Sequence, residues 1–374
     1  MKGYGWIVGV AILALGAGAC YAGMWGTLAP GPSSPPQSYV GTATAWNNGT
    51  KLCVHCVGSL HLLYQYQYYG PGYEDNVILY YYSPNDGITW TYAAACTNGY
   101  HASMTVNSAG YPRVARIRWV PLEDWHGELV LFDSLGTDST WRSKICGIGS
   151  GAGSVERPSI CIDSGDTAHV AWVLSYGDTT FLCHWQSNWG EYEEERFFWT
   201  LGWYRWQFPS ICVDWLDRPH IVFQENGDPY WRIMHTYRLE SGEWTTPEQV
   251  NQTWEGAHPC LMRAHTTSMQ VVYDGFEGGN QGVWHNRWET NEYWYDTDQV
   301  CQSQLCDSYP VIGERCVVAW QDLDPGEIWG TRGYYDLGQG EYSFFPPTNI
   351  SQTSTQSAYP HVAVRGKYAY FRLL

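Results

Sequence analysis

Downstream of residue 25 the sequence has no apolar stripe of 3.6-residue period, which excludes a helical or mixed α/β body. Basic residues are few, 20 Lys and Arg against 37 Asp and Glu, giving a net charge of −17. A phosphate backbone needs a basic stripe, so nucleic acid is not an expected partner. No apolar run is long enough for a membrane-spanning helix; the core from Trp6 to Leu15 falls short. Met (six) and Phe (ten) are also scarce, whereas Trp (22) and Tyr (29) are abundant. Such an excess of amphipathic rings serves packing and, at a surface, platforms for flat ligands such as sugar rings.

What the chain does have is repetition. FPSICVDWLDRPHIVF (208–223) is a near-copy of RPSICIDSGDTAHVAW (157–172), and their prolines lie 51 positions apart. A proline opening an apolar run recurs at Pro112, Pro158, Pro209, Pro259, Pro310 and Pro360, at gaps of 46, 51, 50, 51 and 50. Second apolar runs follow, among them ELVLF (128–132), HVAW (169–172) and HIVF (220–223). A seventh copy, KLCVHC (51–56) with HLLY (61–64), lacks the proline. Third strands such as VILYYYS (77–83) and a less regular fourth complete units of about 50 residues. Four antiparallel strands per unit predict a blade, and seven copies predict an all-β, seven-bladed β-propeller. First strands are expected near residues 51, 112, 158, 209, 259, 310 and 360, with the ring closed by N- and C-terminal strands. SYVGTATAW (38–46) is the segment expected to join the seventh blade.

Residues 1–22 read as a secretory signal, 23–37 as a Pro/Ser/Gly-rich tether and 38–374 as the propeller. Two processings fit Ala17-Gly18-Ala19: ordinary cleavage, or a lipobox that makes Cys20 a lipidated N-terminus. Either way the protein leaves the cytoplasm, secreted or anchored at the cell surface, with membrane contact only through that lipid. Cys53, Cys161 and Cys212 occupy one repeat position and are expected as small apolar residues between blades. Cys301 and Cys306 bracket a short loop and are the expected disulfide. In Cys53-Val54-His55-Cys56 no His follows Cys56, and residues three apart on a strand face opposite ways, so no metal site is read there. His184, His235 and His285 each fall 26 residues after their proline, a structural repeat feature together with His169 and His220, and not a metal cluster. No cofactor is implied. Asp163 and Asp214 are expected to cap first hairpin turns.

In YSPNDGITW (82–90), Ser83, Asn85, Asp86, Gly87, Thr89 and Trp90 match the Asp-box turn, with Asn where the box has its first Asp. With the PSICVD and HIVF phrases, the chain resembles the sialidase-like propellers built from bacterial neuraminidase repeats. That resemblance implies blades whose third and fourth strands are joined by the box, which lies away from any active site. It does not imply sialidase activity. The chain lacks Arg-Ile-Pro, its first arginine after the tether is Arg113, and sialidases have six blades.

Loops joining second and third strands are expected on the binding face. They offer Tyr69, Tyr73, Tyr176, Tyr230 and Phe276 as platforms, and Glu225, Asp274 and Asp322 as acceptors. Such an acidic mouth would suit neutral sugars, amines or a cation. The primary reading is a non-catalytic module binding a glycan or an extracellular protein. A glycoside hydrolase or lyase using funnel carboxylates, such as Glu225 with Asp274, is the alternative. A structural assembly module is a third.

Overall fold

The computed structural model describes Gly9–Ala14, Ala29–Pro30 and most of residues 51–374; short stretches, among them 122–125, 228–230, 303–308 and 352–359, lie outside the described residues. Among the described residues every named element is a strand. At the N-terminus are β1 (Gly9–Ala14) and β2 (Ala29–Pro30). A first set holds β3 (Leu52–Val54), β4 (Leu60–Gly70), β5 (Tyr73–Ser83) and β6 (Thr91–Cys96). It is followed by β7 (Tyr100–Val106), β8 (Pro112–Pro121), β9 (His126–Leu135) and β10 (Trp141–Gly149). Next come β11 (Gly153–Ile162), β12 (Ala168–Tyr176), β13 (Thr179–Gln186) and β14 (Glu195–Leu201). Then follow β15 (Arg205–Val213), β16 (Pro219–Asn226), β17 (Trp231–Tyr237) and β18 (Glu248–Gln249). Further on are β19 (Glu255–Arg263), β20 (Met269–Glu277), β21 (Asn280–Trp288) and β22 (Asp298–Gln302). The chain ends with β23 (Val311–Gly313), β24 (Val317–Asp322), β25 (Glu327–Asp336), β26 (Glu341–Phe344), β27 (Thr348–Asn349), β28 (His361–Arg365) and β29 (Tyr368–Arg372).

Within each set, strands consecutive in sequence pair antiparallel. Sets β15–β18 and β19–β22 share one sheet only through a single parallel bridge, Trp231 to Glu255. First strands touch first strands: β3 with β7, β7 with β11, β11 with β15, β15 with β19, β19 with β23, β23 with β28, and β28 with β3. The protein is therefore an all-β propeller of four-stranded antiparallel blades.

Blade packing explains why second strands read as unbroken apolar runs. In β12, Val170, Trp172 and Leu174 face the core shared with β8–β10 residues Ile117, Phe132 and Cys146. Ala171 and Val173 face the opposite core, with Ile211, Ile221 and Phe223 of the next blade. The period of two survives, but both faces are dry. The same strand position recurs in β20, where Tyr273 points one way and Val272 the other.

Neighbouring inner strands are also stitched by side chains. Ile160 N–H donates to Ser103 Oγ at 3.3 Å, Ile211 N–H to Ser159 Oγ at 3.2 Å, and Leu261 N–H to Ser210 Oγ at 3.0 Å. Farther out, the Ser108 amide donates to Asp166 at 2.8 Å and the Ser164 amide to Asp217 at 2.9 Å, again one blade apart. Asp163 and Asp214 close the first hairpin turns, each accepting from two turn amides.

Two expectations change. Pro112 opens β8, the second strand of its blade; the first is β7, where Tyr100-His101-Ala102-Ser103 stands in the place of Gln207-Phe208-Pro209-Ser210. ELVLF is consequently a third strand, in β9. Proline lacks a ladder donor and is at home at the first residue of a strand, which is how it came to mimic the repeat there. The strand paired with β29 is β1, which lies inside the stretch read as an export signal; 38–46, Cys20 and Cys306 lie outside the described residues. Cys53 Sγ donates to Met104 O of the next blade at 3.2 Å, and Cys161 packs in the core with the following blade, so this repeat position does lie between blades.

Replacing Ser210 with Ala leaves the buried Leu261 amide without its acceptor. The expected loss is about 1–3 kcal/mol in denaturant unfolding, whereas Ser164→Ala at the exposed rung should stay within about 0.5 kcal/mol.

Candidate functional site

The first strands share a defect. Cross-strand register slips between Tyr100 and Ser103, Glu156 and Ser159, Gln207 and Ser210, and Ala257 and Cys260. Each bulge leaves two residues unpaired, and in three blades one of them is the repeat proline, which has no N–H to offer. The other is left-handed: His101 (φ 50), Arg157 (φ 49), Phe208 (φ 51) and His258 (φ 50); Tyr309 (φ 34), before Pro310, matches them. None is glycine, and each such conformation costs on the order of 1–3 kcal/mol. The same left-handed conformation recurs at one position of successive blades.

The bulge brings these side chains onto one another. The Arg157 guanidinium lies 3.7 Å over the Phe208 ring. Phe208 meets His258 edge to face at 4.5 Å between centroids, and His258 lies 4.2 Å from the Tyr309 ring. Because first strands are the ones that touch from blade to blade, this row forms an arc of an inner collar. His258 is held from two sides. Its Nδ1 lies 2.9 Å from Asp274 Oδ1, and its amide donates to Gln224 Oε1 at 3.1 Å. Burial, then the charges of Arg157 and Lys51, push the His101 pKa down to about 3, so that ring is neutral. Burial lowers the pKa of Arg157, while Glu156 and Tyr309 act the other way. Chemically the collar offers aromatic faces, a guanidinium, and an imidazole oriented by a carboxylate.

Of the residues singled out in the sequence, Asp274 belongs to this collar. Glu225 accepts from Trp206 Nε1 at 3.2 Å and pairs with Arg232, so Glu225 and Asp274 each have a basic partner of their own. Tyr176 and Phe276 stand 55% and 43% exposed at the outer ends of β12 and β20, and Trp231 joins them in the intervening blade at 51%. Asp322 ends β24 opposite Glu327. Tyr69 and Tyr73 sit in the β4–β5 hairpin with side chains outside the described residues, as is all of Tyr230. The Ser83–Trp90 turn is closed by its own side chains: Ser83 Oγ accepts from the Gly87 amide at 2.9 Å and Asn85 Oδ1 from the Thr89 amide at 2.9 Å. Asp86 (φ 54) and Gly87 (φ 83) make the turn, and Trp90 packs on the core of Leu52, Leu60 and Leu62. Arg157, Phe208, His258 and Tyr309 were not anticipated. Their signal was present, since each precedes a repeat proline, but reading the proline as the strand start put its neighbour in a loop.

No family model and no curated protein matches the chain. Solved structures do. A PL25 ulvan lyase bound to -[GlcA(1-4)Rha3S]- aligns over 87% of this chain and 87% of its own, at a TM-score of 0.53 and 12% identity. The β-propeller domain of the Trilobed protease from Pyrococcus furiosus, described as having an open velcro topology, aligns over 89% and 91%, at 0.52 and 8%. The α-L-arabinanase of Penicillium chrysogenum complexed with arabinobiose aligns over 85% and 99%, at 0.48 and 13%. What is shared is the fold.

The repeated histidines form rows across the blades. Asp214 Oδ2 lies 3.3 Å from His220 Nε2, His220 Nδ1 lies 2.9 Å from His235 Nε2, and His235 Nδ1 lies 3.0 Å from Glu248 Oε1. The preceding blade repeats this through Asp163, His169, His184 and Glu195 at 3.4, 3.2 and 3.3 Å. In the following blade His285 faces Asp298 at 3.3 Å. Each row places two imidazoles between two carboxylates of one blade. Burial lowers the His220 and His184 pKa values to about 4, against about 6.5 for a free imidazole. A histidine depressed in the folded state binds fewer protons there than when unfolded, so its contribution is full above about pH 6.5 and is lost as pH falls towards about 4. Thermal unfolding should therefore show Tm falling through that window, with a shallower fall in the His220→Gln, His235→Gln double variant; an unchanged slope would contradict the assignment.

Proposed function

We propose that this chain is a closed seven-bladed propeller whose collar and aromatic rim bind a glycan. Closure is supported by the unbroken cycle of contacts among first strands and by the apolar clusters between consecutive blades, the last joining Ala363 of β28 to Leu52, Leu60 and Leu62. The Ser83–Trp90 turn supports kinship with sialidase-like repeat propellers. The observation that carries the function is the row of strained, non-glycine residues at the inner bulges, Arg157, Phe208, His258 and Tyr309, with Tyr176, Trp231 and Phe276 on the rim. The exposed rim rings of Tyr176, Trp231 and Phe276 present large rigid area to a sugar at little entropic cost. A lyase acting on a glycan with the same fold is in keeping with this reading.

The His258–Asp274 pair favours a second reading, that the bound glycan is also cleaved, because a carboxylate-oriented imidazole is equipped for proton transfer. In this reading the single carboxylates Glu225 and Asp274 do not form the acid pair of a glycosidase. A glycan array on the full chain, followed by titration calorimetry, tests both. Phe208→Ala should weaken the best ligand about ten-fold or more, or about 1.4 kcal/mol, while Tyr92→Ala in β6 leaves it unchanged. Asp274→Asn should keep binding and remove any turnover. Binding that ignores Phe208 would move the site off the collar.

A further inference from the structure

The outer end of the fifth blade carries a row of side chains that the collar does not use. Trp231, which opens β17, pairs across the blade seam with Glu255 of β19; Glu255 pairs with Phe276 of β20, and Phe276 with Gln281 of β21. All four residues are exposed. Antiparallel partners share a face, so Glu255, Phe276 and Gln281 stand side by side at about 5 Å, with Trp231 adjoining Glu255 from the fourth blade. Glycine permits the close approach of these strands. Gly256 faces Gly275, and a Cβ on Gly275 would lie 2.1 Å from the Glu255 carbonyl oxygen. Asp274 lies two residues inward from Phe276 on β20, so the row begins about 7 Å from the collar.

The charge of the row is one-sided. Among the described residues no hydrogen bond or ion pair engages the Glu255 carboxylate or the Trp231 indole. The basic groups around it are placed elsewhere: Arg232 pairs with Glu225, His258 with Asp274, and Arg205 lies two strands beyond Trp231, past Asn226. Aromatic faces carry the negative pole of the ring quadrupole and attract cations, tryptophan most strongly. A carboxylate set between two such rings, in a chain of net charge −17, favours a cationic group over a neutral or anionic one.

We propose that the Trp231–Glu255–Phe276 row is a subsite for a saccharide bearing a free ammonium group, an amino sugar stacked on Trp231 with its nitrogen on Glu255. This rests on the glycan reading and names its substrate class. The ammonium donates to the carboxylate while Phe276 flanks it from the other side, and Gln281 bonds a ring hydroxyl.

The test compares oligosaccharides of glucosamine with their N-acetylated counterparts, by calorimetry on the full chain at two salt concentrations and a pH that keeps the amine protonated. The amine form should bind about ten-fold or more tightly than the acetylated form, and added salt should weaken only the amine form. Glu255→Gln should erase that preference and leave the acetylated form's Kd within about two-fold, whereas Trp231→Ala should weaken both forms. Glu240→Gln, at an exposed turn outside the row, should change neither. Equal binding of the two forms, or tighter binding of the acetylated one, overturns the proposal and leaves the glycan site standing. A preference that survives Glu255→Gln, or one that Glu240→Gln reduces as much, overturns it as well, since general attraction to an acidic surface would then explain it. If no saccharide on a glycan array binds the folded chain, the glycan reading falls and this inference with it. The wild-type comparison needs no variant, so a misfolded Glu255→Gln does not rescue the idea.

Discussion

The inner strand of a blade is a sheet edge, and its outward amides need acceptors. Here a serine of the preceding blade supplies them: Ser103 to Ile160, Ser159 to Ile211, Ser210 to Leu261, with Cys260 taking the same place toward Ile312. An unmet edge is both a buried-donor penalty and an invitation to pair with another chain. Ser159 and Ser210 follow the repeat proline directly, so the bulge that leaves two residues unpaired also presents the hydroxyl. Strain at Arg157, Phe208 and His258 is held in place by bonds on either side of it, and the collar follows from that arrangement.

The same economy governs the cores. Each second strand contributes alternate residues to two different clusters, so losing one large side chain, such as Trp172 or Phe223, unsettles contacts on one side of a blade and leaves the other intact. The imidazole rows add a polar tie across blades three and four, where Asp214 is also bonded by Arg218. Burial would raise the Asp214 pKa, yet the bonds from His220 and Arg218 outweigh it and hold it down to about 2. These rows are internal struts, each contained in a single blade.

Much of the fold was legible in the sequence because a repeat reports its own period. The Pro-Ser-Ile-Cys phrase locates inner strands at Pro158 and Pro209, and the following His with an apolar run locates the strand beside them. Legibility failed at Pro112, where a proline in a second strand imitated one in a first, and Ser103, the residue with the structural task, carried no proline to flag it. The rim was partly readable: Tyr176 and Phe276 follow from loop position, whereas Trp231 was passed over for its neighbour Tyr230. The collar was not, since a left-handed arginine or histidine has no composition of its own. Only the three-dimensional pairing shows that Arg157, Phe208, His258 and Tyr309 are one row.

The central claim is that the inner edge is locked blade to blade and that the collar depends on it. Residue-resolved amide hydrogen exchange of the full chain tests this directly. Ile160, Ile211 and Leu261 should fall in the slowest class, exchanging only with global unfolding, while the exposed turn amides of Ser164 and Leu216 exchange by local opening. Exchange of those three amides at the rate of the turns would mean that the inner strands are not tied to their neighbours, and the account would fail.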